Sequence, residues 1–432
     1  MSLTTMNELA YDTWEPGLND MLEHEEGYLY SWLEKTNKDV RGRNVFVKLK
    51  TGRSTGIRNI TEGGDFPAAG DPTYDEAEIN LSRIAATCEF TLDEVEMLDG
   101  RDAAAEAVVE EKLEDLVNTV RRDCVRQLWS DGSAILARVA SDTGSTATLD
   151  AVTDSASASQ YDRDRFLWLE ENGLKVDAYD SSDGSLQIAG LGITDINEST
   201  NVVTFDAATT AMTADTVLVR SGNAYDAGST VGSYEIPGIQ AAIANDNTYL
   251  TLNRASAGFG FWKAQVITGA TAGVLQPITH DRVLKLINKV TRKRGTSPTL
   301  TKDYVFMSNL GVWSAYGEML QGGVRYKAME ELDFGWPTLQ IFGTKFHADI
   351  HAPNNQLYLL HKPSFGIRRP KYRKRPLFRF MNDDGSMWRY KRASSGGGIT
   401  AAIQSNLTGM MTLVNERPNV SGLLDDIEEV GV

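Results

Sequence analysis

Residues 90–132 read FTLDEVEMLDGRDAAAEAVVEEKLEDLVNTVRRDCVRQLWSDG and predict a short capped helix followed by a long amphipathic one. Thr91-Leu-Asp-Glu94 is a capping box, in which the Thr hydroxyl and the Glu carboxylate each satisfy an unpaired backbone N–H. The second helix is expected over about residues 102–128, because its apolar side chains recur at helical spacing. The apolar stripe comprises Val109, Leu113, Leu116, Val117, Val120, Cys124 and Leu128, and the other face carries Glu110, Glu111, Glu114, Arg121, Arg122 and Arg126.

A long β-hairpin is predicted ahead of these helices, over residues 44–85. Apolar side chains alternate with other side chains on both of its strands, as the two-residue period of a strand requires. An isolated two-stranded ribbon is marginally stable in water, so we expect the hairpin to lie against something else. Residues 59–82 carry no basic side chain and six acidic ones: Glu62, Asp65, Asp71, Asp75, Glu76 and Glu78.

The rest of the chain divides by composition and periodicity. Residues 1–43 form an expected N-terminal arm, and residues 141–160, rich in Ser, Thr, Ala and Asp, read as a loop. Strand patterns that follow indicate a β-rich insertion over 141–235. The insertion includes a strand expected at 216–220. Beyond residue 235 the pattern is α+β, with strands expected at 261–266, 304–307, 339–342, 345–350 and 356–360.

Three features of the C-terminal half remain. A helix is expected over residues 280–290, with Thr279 as its N-cap. Further strands are expected over 363–432. The acidic stretch Asp425-Asp-Ile-Glu-Glu429 is predicted to be a solvated tail.

The composition excludes several protein classes. The 432 residues carry a net charge of -16 and a mean hydropathy of -0.31, and no run approaches the ~18 apolar residues that a membrane span needs. The first residues have no basic region followed by an apolar run, so we expect no secretory signal. Cys88 and Cys124 are too few and too far apart for a disulfide framework or a zinc site, so we expect buried, reduced thiols in a cytosolic setting. Residues 1–120 hold 26 of the 59 acidic side chains and 11 of the 43 basic ones, which places most of the excess charge at one end.

No motif of catalytic specificity is present. The sequence lacks a P-loop, a dinucleotide-binding glycine motif, a nucleophile elbow and a calcium loop. His347-Ala-Asp-Ile-His351 is the strongest metal candidate, because on a strand its imidazoles and carboxylate would share one face. Exposed or locally hydrogen-bonded histidines are the alternative, which we favour since no nearby Glu offers a base. Adjacent carboxylates such as Glu110 and Glu111 indicate solvated helix faces. We therefore expect no enzyme, no cofactor and no metal.

A basic segment, residues 368–379, reads RRPKYRKRPLFR and contains no acidic residue. Its interleaved Tyr372 and Phe378 would suit nucleic acid, through phosphate charge and base stacking. Its two prolines favour an extended edge segment over a DNA-reading helix. Because the chain as a whole is acidic, we favour an acidic protein surface as the partner.

The order of these elements resembles that of the major capsid proteins of tailed bacteriophages, which have the Hong Kong 97-type fold. Residues 90–98, the long helix after them and Trp129-Ser-Asp-Gly132 are similar to the family's strand, short helix, spine helix and helix-end turn. A second similar stretch runs through residues 235–243, 248–254 and 262–266. The resemblance covers most of the chain outside 141–235.

The resemblance implies an α+β capsid fold with a β-rich insertion. The implied segments are an N-terminal arm (1–43), an extended β-hairpin loop (44–85), a peripheral domain with a long spine helix (86–140), the β-rich insertion (141–235), an axial domain (236–362) and return strands of the peripheral domain (363–432).

The function implied by the resemblance is mechanical. Copies of the chain would self-assemble into pentamers and hexamers of an icosahedral shell that encloses packaged double-stranded DNA, in a virion assembled in the host cytoplasm. Expected partners are a separate scaffolding protein, a portal and a decoration protein, with DNA contacted non-specifically and no membrane. Covalent cross-linking is not expected, because the hairpin tip lacks Lys. The alternatives are an encapsulin-like compartment and a metal-dependent hydrolase.

The two charge anomalies suggest a specific contact. We hypothesise that the acidic hairpin of one copy lies across the basic segment of its neighbour. Exposed ion pairs contribute under ~1 kcal/mol each, so they would set register more than strength. The residues are Glu62, Asp65, Asp71, Asp75, Glu76 and Glu78 on the hairpin, and Arg368, Arg369, Lys371, Arg373, Lys374 and Arg375 on the segment.

Overall fold

The computed structural model describes residues 28–91, 103–149, 174–197, 200, 202–213, 216–225, 235–244, 248–256, 258–269, 274–323, 339–371, 378–380, 388–392 and 399–430. Within these ranges lie five α-helices: α1 (Tyr28–Trp32), α2 (Ala103–Trp129), α3 (Ile239–Ile243), α4 (His280–Arg294) and α5 (Leu310–Gly323). The same ranges contain the strands β1 (Glu34–Thr36), β2 (Val40–Arg41), β3 (Asn44–Lys50), β4 (Tyr74–Asn80), β5 (Ser82–Thr91), β6 (Ile135–Thr143), β7 (Thr146–Leu149), β8 (Lys175–Asp180), β9 (Leu186–Asn197), β10 (Val202–Phe205), β11 (Thr216–Arg220), β12 (Thr248–Tyr249), β13 (Leu252–Asn253), β14 (Gln265–Ile267), β15 (Tyr304–Ser308), β16 (Leu339–Ile341), β17 (Thr344–Ala348), β18 (Leu357–His361), β19 (Phe365–Arg368), β20 (Phe378–Phe380), β21 (Arg389–Arg392), β22 (Ile399–Asn415) and β23 (Gly422–Leu424).

Most of these strands belong to two sheets and a barrel. The first sheet is organised around the long strand β22, which pairs antiparallel with β5, β21, β20 and β19 along its length, and β1 pairs parallel with β19. The second sheet has the order β14-β23-β18-β15-β17-β16. Strands β2, β3 and β4 form a separate three-stranded sheet. The protein is therefore α+β, with its strands in several small units.

Helix α2 confirms the strongest expectation from the sequence. Its stripe residues Leu113, Val117, Cys124 and Leu128 are buried in the main core, which they share with Phe90 of β5. The expectation that Arg121 and Arg126 occupy the polar face was wrong, because both are buried. For Arg126 the reason is a set of buried carboxylates that neutralise it, described below.

Residues 135–220 include a closed six-stranded barrel in the order β10-β7-β6-β11-β8-β9. The prediction of a loop over residues 141–160 was wrong for 141–149, which complete β6 and form β7. Ala147 and Leu149 point into the barrel core while Thr146 and Thr148 alternate with them, so a loop-like composition conceals a strand. The barrel begins at Ile135, ahead of the expected boundary.

The second sheet and helix α4 follow the sequence closely. Thr279 caps α4 as expected, its hydroxyl accepting from the Arg282 backbone N–H at 3.3 Å. The strands expected near residues 304, 339, 345 and 356 are present as β15 to β18. The strand expected over 261–266 was wrong in its first half, where Gly260–Trp262 forms a 3-10 turn.

The C-terminal stretch is not the solvated tail that its charge suggested. Ile427 is fully buried and Asp426 nearly so. The Asp426 carboxylate accepts from the Gly269 backbone N–H at 2.8 Å, and the Arg282 guanidinium donates to the Asp425 carbonyl at 2.6 Å. Burial raises the pKa of Asp425. The prediction failed because these acidic residues are held by backbone and side-chain donors from distant segments.

Several expectations fall on residues outside the described ranges. These include the arm up to residue 27, the capped helix after Thr91 and the linker over 150–173. Both cysteines are described, and they are buried and free as predicted. No helix in the described ranges is long and apolar enough to cross a membrane.

Candidate functional site

The predicted hairpin is present and is anchored at its base. Strands β3 and β4 pair antiparallel in a register that places Val47 opposite Ala77 and Lys48 opposite Glu76. Val45, Val47 and Ala77 are buried in the main core, so the base of the ribbon packs on the body of the subunit. Residues 51–73, which join the two strands, form neither helix nor strand.

Four of the six acidic hairpin residues are free of ion pairs within the described part of the chain and exposed: Glu62, Asp65, Asp71 and Asp75. Glu76 lies 3.8 Å from the Arg41 guanidinium. The Glu78 carboxylate accepts from the Asn44 side chain, and the Glu78 backbone N–H donates to the Leu250 carbonyl at 3.2 Å. The acidic groups on the connecting loop are thus available to another molecule, whereas Glu76 and Glu78 stabilise the hairpin itself.

The connecting loop also exposes three large apolar side chains, those of Ile57, Ile60 and Phe66, of which Ile60 is 45% exposed. Ile57 is 86% exposed and Phe66 is 85% exposed. Single exposed apolar residues are ordinary on protein surfaces. Phe66 directly follows the exposed Asp65, so one short stretch offers an aromatic ring and a carboxylate together.

The basic segment is only partly available to a partner. Arg368 is buried, and its guanidinium donates to the Glu416 carboxylate at 2.5 Å, so it has a partner within its own chain. Arg369 is half-buried and Lys371 is exposed. The remaining predicted residues, Arg373, Lys374 and Arg375, lie outside the described ranges. Among the residues that can be described, no ion pair joins the acidic hairpin to this segment.

A basic cavity lies where the hairpin base meets the start of the basic segment. It has a volume of about 470 Å³. It was not predictable from the sequence, because its walls come from three separate stretches of chain. The lining residues are Lys38, Asp39, Val40, Arg41, Phe46, Val47, Lys48, Lys371, Glu416 and Arg417.

The histidine motif does not form the arrangement that a strand would have produced. Strand β17 ends at Ala348, so Asp349 and His351 follow the strand and do not share a face with His347. The His347 ring stacks on Tyr28 with centroids 3.7 Å apart, and burial lowers its pKa. The Asp349 carboxylate accepts from the His351 backbone N–H at 3.0 Å. In the described part of the chain, no group of three or more His, Cys, Asp or Glu side chains is placed to hold a metal.

A buried charge network, which sequence reasoning missed, joins α2 to the end of the barrel insertion. Arg126 donates to Asp123 at 2.8 Å and to Glu235, and the Gln127 amide donates to Asp123 at 2.7 Å. Arg220 of β11 lies 3.5 Å from Asp123. Each charge has an opposite charge beside it, which is the condition for burying them together. The network therefore connects the last turns of α2 to β11 and to Glu235, which follows the barrel.

Comparison with solved structures identifies the architecture. The capsid asymmetric unit of cyanophage A-1(L) matches with a TM-score of 0.52 and 12% sequence identity, over 92% of this chain and 92% of that chain. The chain has the fold of a phage capsid protein. No protein-family model matches the sequence, and no curated protein does.

Two further structures are similar at lower scores. The holo-SrpI encapsulin complex from Synechococcus elongatus has a TM-score of 0.45 and 10% identity, over 93% of this chain and 87% of that chain. The capsid of a native GTA particle has a TM-score of 0.45 and 10% identity, over 92% of this chain and 89% of that chain. At identities of 10–12% these likenesses concern the fold alone.

Proposed function

We propose that this chain is a major capsid protein whose copies assemble into pentamers and hexamers of an icosahedral shell around packaged double-stranded DNA. The observation that carries the proposal is the capsid fold shared with the cyanophage A-1(L) structure over nine-tenths of both chains. Its role would be structural and not enzymatic, in a virion assembled in the host cytoplasm. Scaffolding, portal and decoration proteins would be its partners during assembly.

We also propose how the capsid regions map onto the chain. Helix α2 with the sheet around β22 would be the peripheral domain, with α2 as its spine helix. The sheet β14-β23-β18-β15-β17-β16 with α4 and α5 would be the axial domain. The ribbon β3–β4 would be the extended loop and the closed barrel the insertion. Support comes from the sheet order, since β22 returns from the C-terminal part of the chain to pair with β5, just before α2.

For the contact between subunits, we propose that the acidic hairpin of one copy lies across the basic segment of the next. Glu62, Asp65, Asp71 and Asp75 are exposed and support this role. Lys371 is exposed and Arg369 half-buried on the other side. Arg368 is withdrawn from the proposed contact, because Glu416 already neutralises it. Weak contacts of this kind hold a shell because each subunit meets several neighbours at once.

Electron microscopy of the purified protein tests the main proposal. Closed particles some tens of nanometres across are expected for a shell, and virions or filled particles should contain nuclease-protected DNA. A small soluble oligomer under all assembly conditions would contradict the capsid role. Particles that enclose a protein cargo and no DNA would instead indicate an encapsulin-like compartment.

Charge reversal tests the proposed contact. The double substitution Arg373→Glu and Arg375→Glu should leave soluble subunits that no longer close shells, because like charges would then face each other. A variant that forms normal shells would show that the basic segment is not the partner of the hairpin. The wild-type protein under the same conditions is the control.

A further inference from the structure

We propose that the basic cavity at the base of the hairpin is the docking site for the acidic loop of a second copy of this chain. The inference rests on the proposed shell function and adds a definite receiving site to it. The cavity brings Lys371 of the basic segment together with cations that the segment does not contain, namely Lys38, Arg41, Lys48 and Arg417. All five belong to one surface depression of about 470 Å³.

The cavity has a surplus of positive charge that its own carboxylates do not neutralise. Its two acidic residues are already engaged, since Lys38 lies 2.9 Å from Glu416 and 3.7 Å from Asp39. The Glu416 carboxylate also forms an ion pair with the Arg368 guanidinium. Among the described residues, no carboxylate lies within ion-pair distance of Lys48, Lys371 or Arg417, and all three are exposed. In a chain of net charge -16, a depression with three unmatched cations favours an acidic ligand.

The acidic loop supplies a ligand of matching chemistry. Glu62, Asp65 and Asp71 are exposed, and none of them lines the cavity of its own chain. A second copy can bring the same loop to the cavity without breaking any ion pair in the described part of either chain. The loop therefore offers three carboxylates for the three unmatched cations.

Phe66 adds an apolar contact to this charge match. Its ring is 85% exposed and adjoins Asp65. The cavity wall includes Phe46, over which the Arg41 guanidinium sits 5.2 Å from the ring centroid. Aromatic rings and cations attract one another at such distances, so a wall of arginine, lysine and phenylalanine can receive a second ring. Phe66 would be the anchor of the contact, and the carboxylates would set its orientation.

A charge-swap experiment tests the docking site. Lys371→Glu with Arg417→Glu should reduce the fraction of protein in sedimenting particles at least about tenfold, because repulsion replaces attraction at every contact. Adding Asp65→Lys and Asp71→Lys in the same chain should restore that fraction to within about twofold, since the charges are matched again in the opposite sense. A misfolded variant would not be rescued in this way. Phe66→Ala alone should leave the subunit soluble and lower particle yield.

The control and the contrary outcomes are distinct. Lys175→Glu with Lys302→Glu makes the same change in net charge at exposed sites outside the cavity and should assemble normally. Normal assembly of the Lys371/Arg417 variant, with wild-type shells formed, would overturn the docking site and leave the shell function standing. Normal particle formation with a loss of nuclease-protected DNA would assign the cavity to nucleic-acid phosphates, and loss of assembly without rescue would also overturn the docking site. If the wild-type protein forms no particles, the docking proposal falls together with the shell function.

Discussion

Arg126 and Glu235 form an ion pair that is almost wholly buried, although 109 residues separate them in the chain. Arg126 lies in the last turns of α2, and Glu235 follows the barrel. Burial acts to raise the pKa of Glu235 above its ordinary value, and the charge of Arg126 opposes this only in part. At Asp123 burial acts in the same direction, but Arg126 and Arg220 outweigh it, so the pKa of Asp123 is lowered. The Arg126 guanidinium thus lies between Glu235, whose pKa is raised, and Asp123, whose pKa is lowered, and it ties the segment after the barrel to α2.

Removing one member of this network should destabilise the subunit strongly. Glu235→Ala is expected to lower the free energy of unfolding by roughly 3–5 kcal/mol, because it takes a carboxylate from a buried guanidinium. Unfolding in guanidinium chloride measures the change. Glu428→Ala removes an exposed carboxylate and should shift the stability by less than about 0.5 kcal/mol. Equal denaturation midpoints for Glu235→Ala and Glu428→Ala would mean that the Arg126–Glu235 pair contributes little to the stability of the fold.

Acidification should weaken the fold through His361. Burial, reinforced by the charges of Arg294 and Arg417, lowers the pKa of His361 to about 4 from its ordinary value of 6.5. Because the folded state keeps the imidazole neutral, its contribution is present above pH 6.5 and is lost as the pH falls from 6.5 through 4. A shift of this size corresponds to about 3 kcal/mol.

His361→Phe is the matched variant for this pH effect. It keeps a ring against Tyr304, whose centroid lies 5.0 Å away, and removes the proton site. The difference between the denaturation midpoints at about pH 7.5 and about pH 4.5 should be smaller for the variant than for the wild-type protein. An identical pH dependence in both proteins would contradict the assignment to His361.

The close approach of Gly238 to α2 should make this position intolerant of a side chain. A Cβ atom at Gly238 would lie 2.5 Å from the carbonyl oxygen of Gln127. Because the obstacle is helix backbone, Gly238→Ala is expected to cost roughly 1–3 kcal/mol or more in unfolding free energy. Gly260→Ala, where a Cβ meets no atom within 4 Å, is the control. A neutral Gly238→Ala would show that α3 moves away freely.

Both cysteines should be inert in the folded protein. Burial raises the pKa of Cys88 to about 11 and that of Cys124 well above its ordinary value. Since the thiolate is the reactive form, an aromatic disulfide reagent at about pH 8 should label neither thiol until the protein is unfolded. Rapid native labelling of either residue would contradict the buried environment.

Local periodicity made some elements predictable from the sequence. Three such features are present: the apolar stripe of α2, the cap of α4 at Thr279 and the alternation of β3. Each depends on the spacing of residues that are close together in the sequence. The acidic and basic stretches were visible as well. What the sequence could not supply was which charges meet, as with Arg368 and Glu416, which are 48 residues apart.

Composition misled where long-range pairing decides the outcome. Residues 141–149 have the small polar residues of a loop, yet β6 and β7 become strands because barrel closure pairs β7 with β10. The acidic C-terminal residues looked solvated, but Arg282 and Gly269 hold them from segments far away in the chain. The basic cavity was equally hidden, since residues near 40, 371 and 417 become neighbours only in the folded chain.

The barrel departs from the body and returns to it at adjacent points. Its first strand begins at Ile135, and Val219 at the end of its last strand is the register partner of that residue. Gaining or losing the whole unit would therefore bridge a gap of one strand spacing, about 5 Å, and would leave the remaining sheets paired as they are. We therefore expect that the barrel segment can be removed or replaced as a unit, so that a foreign sequence of similar end-to-end distance could take its place in the chain.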